Sequence, residues 1–129
     1  PSNRWARPLH LDPLQRGLRD AVDWLRDADY DDRRVLAANI WVNEFVGRPV
    51  EPRGVGVRDQ LGELKPGDII IWDTKYSASE YHRLPLDYLV YRRDYVELRR
   101  DPTPRRGRPH WAIFELRPPP GYRPAARNE

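Results

Sequence analysis

Lys65-Pro66-Gly67-Asp68-Ile69-Ile70-Ile71-Trp72-Asp73-Thr74-Lys75 is the stretch that decides the fold. A Pro-Gly-Asp turn launches four consecutive apolar residues, and the run stops at a carboxylate. A short, Ile-rich apolar run bounded in this way reads as a strand buried on both faces, the kind found inside parallel sheets. Open α/β sheets bind ligands beyond the carboxyl ends of such strands. Asp73, Thr74, Lys75 and Tyr76 therefore mark where a site is expected.

The flanking sequence supplies the rest of the domain. Asp12-Pro13 is a helix start, an N-cap acceptor followed by proline at the first helical position. Leu14, Leu18, Ala21, Val22, Leu25 and Ala28 then recur at helical spacing, with Arg16, Arg19, Asp20, Asp23 and Asp27 left outside. Val35 to Trp41 reads as a strand, with an exit loop or short helical turn after it. Pro49 to Gly56 is a loop, and Val57 to Leu64 a short helix that returns the chain to the strand at Ile69. A strand-helix-strand unit of this kind makes its two strands parallel, with a right-handed crossover. Leu84-Pro85-Leu86 opens another short helix through Tyr91. Tyr95 to Arg100 and His110 to Arg117 read as strands, and the short connector from Asp101 to Pro109 pairs them antiparallel.

The expected fold is thus a small Rossmann-like α/β domain. Its mixed sheet of about four strands has a central parallel pair, an antiparallel final pair and flanking helices. Residues 12–117 form the domain, between an extension or linker at 1–11 and a Pro/Arg-rich tail at 118–129 that is extended or disordered.

Composition bounds the function. A chain of 129 residues suits one domain. Its charged fraction of 33% is high, but five Trp and seven Tyr supply large, rigid core pieces and argue against wholesale disorder. No window approaches a membrane span, so the chain is expected to be soluble by itself. Zero Cys excludes disulfides, thiol catalysis and Cys-zinc sites. There is no Met, and Arg4-Trp5-Ala6-Arg7-Pro8 reads like a juxtamembrane or linker segment. A domain excised from a larger protein is the expectation, a Met clipped before Pro1 the other account. The net charge of +3 is uneven: from Arg99 onward eight Arg face three acids.

Four constellations bear on chemistry. Asp68, Asp73 and Lys75 resemble the metal-dependent nuclease pattern PD-(D/E)xK, in which two carboxylates hold Mg²⁺ and a lysine steadies the attacking water. The spacing argues against it, because only four residues separate the two Asp on a single strand. His82 follows in the loop after Asp73, yet the chain lacks both a zinc-ligand spacing and the Gly-x-Ser-x-Gly elbow that a triad from Ser77 or Ser79, His82 and Asp73 would need. Asn39, Trp41, Asn43 and Glu44 follow the first strand and are expected beside Asp73. Amides, an indole and carboxylates at one sheet edge suit a sugar. The basic segment with Arg99, Arg100, Arg105, Arg106 and Arg108 is a candidate phosphate or anionic-lipid patch, while no nucleic-acid-binding motif accompanies it.

With its elements in order, the chain resembles the soluble C-terminal domain of bacterial membrane glycosyltransferases of the GT-C type. That group is similar to the dolichyl-phosphate-mannose–protein mannosyltransferases. The likeness rests on the helix Leu14 to Ala28, the strand Val35-Leu36-Ala37-Ala38-Asn39, and the turn Leu64-Lys65-Pro66-Gly67-Asp68 feeding a strand that ends in Asp73. Leu84-Pro85-Leu86-Asp87-Tyr88-Leu89, the segment near Tyr95 and Trp111-Ala112-Ile113-Phe114-Glu115 complete it.

The resemblance implies a non-catalytic accessory domain, without cofactor, on the extracytoplasmic face of a bacterial membrane. It would help to position acceptor substrate, and the catalytic acids and lipid-phosphate-sugar site would lie in the membrane part. Its partners would be the membrane-embedded remainder and a glycan or lipid-linked sugar. Asn39, Glu44, Asp73, Lys75 and Tyr81 are the candidate contacts. The alternatives are a small Mg²⁺ nuclease using Asp68, Asp73 and Lys75, and a stand-alone interaction module, with the cytoplasm as the alternative location.

Overall fold

The computed structural model describes residues 11–47 and 56–121. Helix α1 (Pro13–Asp27) begins at a reciprocal capping box. The Asp12 carboxylate accepts the Gln15 N–H at 2.7 Å, and the Gln15 side chain accepts the Asp12 N–H at 3.0 Å. Its Leu18, Ala21, Val22 and Leu25 are buried, as the periodicity requires. Leu11, expected in the extension, is also buried and its carbonyl accepts from Arg16.

Strand β1 (Val35–Ala37) is shorter than expected, and the difference has a clear cause. Asn39 is a helix N-cap: its Oδ1 accepts the Trp41 N–H at 3.0 Å and starts α2 (Ile40–Val46). Trp41, read above as the end of a strand, is helical. Val42 is buried, while Trp41, Phe45 and Val46 pack against the core shared with α1. Gly47 ends α2 in the left-handed conformation, with φ of 78°.

After the segment 48–55, which lies outside the described residues together with most of the expected Pro49–Gly56 loop, α3 (Val57–Gln60) and a 3-10 turn (Leu61–Glu63) lead to β2 (Ile69–Asp73). The turn into β2 is tied twice: Lys65 and Asp68 exchange hydrogen bonds, and Gly67, at φ of 97°, donates its N–H to Leu116 O. Helix α4 (Leu86–Val90), β3 (Tyr95–Arg100) and β4 (Trp111–Leu116) follow.

Among the described residues four strands form one sheet in the order β1-β2-β4-β3. β1 and β2 are parallel, whereas β2–β4 and β4–β3 are antiparallel. The mixed α/β architecture is the expected one, and the parallel pair exists. It is not at the centre, however. β4 inserts between β2 and β3, so the middle of the sheet is an antiparallel pair and β1 is an edge. Burial accounts for this, since all six residues of β4 are buried whereas β3, equally long, is largely open on one side.

Alternation along β2 builds two cores. Ile69 and Ile71 join α1, α2, Trp111 and Ile113 on one face. Ile70 and Trp72 join Val57, Leu84, Leu89, Phe114 and Leu116 on the other. Glu115, on the α1 face, is buried and ion-paired to Arg33 at 3.1 Å and to Arg117. No helix among the described residues is long and apolar enough to cross a membrane.

Gly17 sets the distance between α1 and the sheet. A Cβ there would lie 2.7 Å from the Trp111 Nε1 and 2.8 Å from its Cδ1, and Trp111 is itself buried. Gly17→Ala should therefore destabilise by about 1–2 kcal/mol, overpacking outweighing the helix-propensity gain. Thermal unfolding decides this, and a raised Tm would refute the close approach.

Candidate functional site

The carboxyl ends of β1 and β2 bring Asn39 and Asp73 together, as their adjacency in the sheet demands. Their side chains approach to 3.5 Å, the outer limit of a hydrogen bond. Asp73 itself is not at a wet rim: it is fully buried. Its Oδ2 accepts the N–H groups of Lys75 at 3.1 Å and Tyr76 at 2.9 Å, and its Oδ1 accepts the Ser77 hydroxyl at 3.0 Å. The Asp73 N–H returns a bond to Ser77 Oγ at 3.0 Å. Here the acid folds the chain back after the strand, in the manner of an Asx turn. Expected as a surface contact, it works as an internal brace.

That brace holds the loop 74–83 in shape. Trp72 donates its indole N–H to Leu84 O at 2.7 Å, and Leu84 N–H reaches Ser77 O at 2.8 Å. Thr74, Lys75 and Tyr76 are left facing outward. The Lys75 ammonium sits 5.3 Å from the Tyr76 ring centroid, a cation–π distance. Tyr81 is 59% exposed and meets the His82 ring edge-on at 4.9 Å. Glu44 lies exposed on α2 and makes no ion pair or hydrogen bond among the described residues, so nothing ties it to Asp73.

His82 has a structural task that spacing alone does not reveal. Its Nδ1 accepts the Val57 N–H at 3.0 Å, and its carbonyl accepts the Arg58 N–H at 3.1 Å. It caps α3 from across the chain, because Gly56 has no side chain to do so. Backbone packing is tight here: a Cβ on Gly56 would stand 2.4 Å from Tyr81 O. Burial lowers the His82 pKa from 6.5, against an opposing pull from Asp73.

The sign of the resulting pH effect follows directly. Between the two pKa values the unfolded chain binds more protons, so stability is complete above 6.5 and declines as pH falls through the lowered folded value. Protonation also removes the acceptor for Val57. Melting temperature should drop on acidification through this window, and His82→Ala should flatten that part of the profile.

A second acid repeats the device. Asp101 is buried between β3 and β4, its Oδ1 accepting from the Thr103 N–H and hydroxyl, its Oδ2 from the His110 N–H at 2.9 Å and close to His110 Nδ1 at 3.0 Å. Burial by itself would raise its pKa, but these donors outweigh burial and hold it below the usual aspartate value. The two braced loops touch, since the Thr74 N–H donates to His110 O at 2.9 Å.

Asp68 stands at the opposite end of β2 from Asp73, about 16 Å away at ~3.3 Å per residue. It caps the Lys65 N–H at 2.8 Å and lies 3.8 Å from Arg34. One metal ion cannot be shared by Asp68 and Asp73, and no group of three His, Asp or Glu placed to hold a metal occurs among the described residues. Ser77, His82 and Asp73 do not form a triad either: Ser77 donates to Asp73, while His82 is engaged by Val57.

No family model, curated protein or solved structure matches the chain.

Proposed function

We propose that this chain is a non-catalytic accessory domain of a membrane glycosyltransferase, acting at the extracytoplasmic face and contacting a glycan or lipid-linked sugar through its 74–83 loop. One observation carries the reading. The carboxylate at the end of β2 is consumed by four protein donors, whereas Lys75, Tyr76 and Tyr81 face outward on the loop it braces. A surface so built is suited to hold rather than to react. Exposed phenol rings stack on the CH faces of a sugar, and the amine and hydroxyls meet its OH groups.

Two measurements test it. The complete reading frame should encode several apolar stretches of about 20 residues, each long enough to span a bilayer. Their absence would end the membrane assignment. Titration of the chain with mannose- and glucose-containing oligosaccharides should move the amide signals of Lys75, Tyr76 and Tyr81, and Tyr81→Ala should weaken the effect about tenfold. Signals that move elsewhere, or not at all, would remove the loop from the contact surface.

A further inference from the structure

We propose that the hairpin Arg105-Arg106-Gly107-Arg108 is a binding site for a phosphate-bearing anion. The hairpin is closed by two mutual backbone bonds of 2.9 Å between Arg105 and Arg108. Arg106 and Gly107 occupy the turn with φ of 54° and 74°, the signs required by a two-residue hairpin of type I′. Arg105 and Arg108 are consequently directly opposite, with side chains leaving the same face of the ribbon, where like charges repel. Arginine at the positive-φ position adds backbone strain, because Asn, Asp or Gly is preferred there. The hairpin thus spends stability to gather three cations at one point, and a bound anion would relieve the repulsion.

Among the described residues no carboxylate neutralises them. Several other described arginines have acidic partners: Arg83 with Asp59, Arg92 with Asp94, Arg100 with Glu97 and Arg117 with Glu115. Among the described residues no side-chain hydrogen bond or ion pair engages Arg105, Arg106 or Arg108. They line a cleft of about 710 Å³ with Thr74, Pro109 and His110, and among the described residues no carboxylate contributes to its wall. Asp101, buried at the base of the same connector, is already committed to Thr103 and His110. Asp20 lines the adjoining cleft that Arg105 also borders, and no ion pair joins the two.

The donor set suits a phosphate group. Guanidinium forks match its oxygens two at a time, and the Thr74 hydroxyl adds a further donor to the cleft. The same chemistry is offered by a free phosphate or pyrophosphate and by the headgroup of an anionic lipid. The hairpin carries this by itself, whatever the parent protein does.

The test uses the chain at constant ionic strength with two probes. Inorganic pyrophosphate is titrated against amide NMR signals, and phosphatidylglycerol vesicles are compared with phosphatidylcholine vesicles by co-sedimentation. Saturable shifts at Thr74, Arg106, Gly107 and His110 identify a soluble anion. Binding that needs phosphatidylglycerol and survives without pyrophosphate shifts identifies a lipid headgroup. Either supports the site, provided that Arg105→Ala and Arg108→Ala each weaken binding about tenfold. Arg106→Gln should do the same without touching the closing bonds, which guards against a misfolded hairpin. Arg19→Ala, an exposed arginine elsewhere, should bind like the parent. No saturation with either probe, unchanged binding by the hairpin variants, or equal weakening by Arg19→Ala would overturn the site.

Discussion

Asp73→Ala is expected to destabilise the domain by about 3–5 kcal/mol, because the substitution orphans buried donors rather than merely removing a charge. The Asn39 amide is 2% exposed and the Ser77 hydroxyl 1%, so neither finds water when the carboxylate goes. The Lys75 and Tyr76 N–H groups lose their acceptor as well. Asp73→Asn keeps an oxygen and the shape, and should cost roughly half as much. Denaturant midpoints measure both. The order matters more than either value: an alanine variant as stable as the parent would mean that the loop is held by something else. A catalytic aspartate would show the opposite pattern, losing activity with little loss of stability.

Phe114→Ala is the second large effect, with an expected loss of about 3–5 kcal/mol. Among the described residues Phe114 is the largest fully buried side chain; it faces Ile70 across one strand pair and Glu97 across the other, and lies in the core that also holds Leu84 and Leu89. A domain with about 5–15 kcal/mol in total would retain little after this cut. Ile70→Val, one methylene at the paired position, should cost only about 0.5–1.5 kcal/mol. Tyr91→Ala, at a side chain 79% exposed, should be nearly neutral. Urea unfolding of the three variants gives the ranking, and a Phe114 variant that unfolds with the parent would place the sheet centre elsewhere.

Much of this fold is legible in the sequence because local signals and tertiary demand agree. Asp12-Pro13 starts α1 where capping chemistry says it should, and the alternation in Trp111 to Leu116 sorts its side chains to the two faces they occupy. Ile69 to Trp72 is interior on both sides. What escaped was decided by residues with two competent roles. Ile40-Trp41-Val42 is as apolar as a strand, and only the Asn39 cap makes it a helix. Strand order escaped for a different reason, since pairing partners are set by which strands are apolar on both faces. The charged outer residues Glu97, Arg99 and Arg100 mark β3 as an edge, and the continuous burial of β4 marks a centre.

The candidate site was half legible. Topology correctly juxtaposes Asn39 with Asp73, because parallel neighbours end on the same side. Direction was not legible: a carboxylate after a strand can point to solvent or curl under its own loop, and Ser77, four residues on, is the small hydroxyl that settles it. His82 gave no signal for its cap, as its partner Val57 lies 25 residues earlier.

Paired acids tucked beneath neighbouring turns have a thermodynamic corollary. A visitor to that end of the molecule would meet a surface already frozen, so association forfeits little backbone entropy and calorimetry should record a small heat-capacity change. Weak, fast-exchanging contacts with crisp geometry are the behaviour such a platform favours.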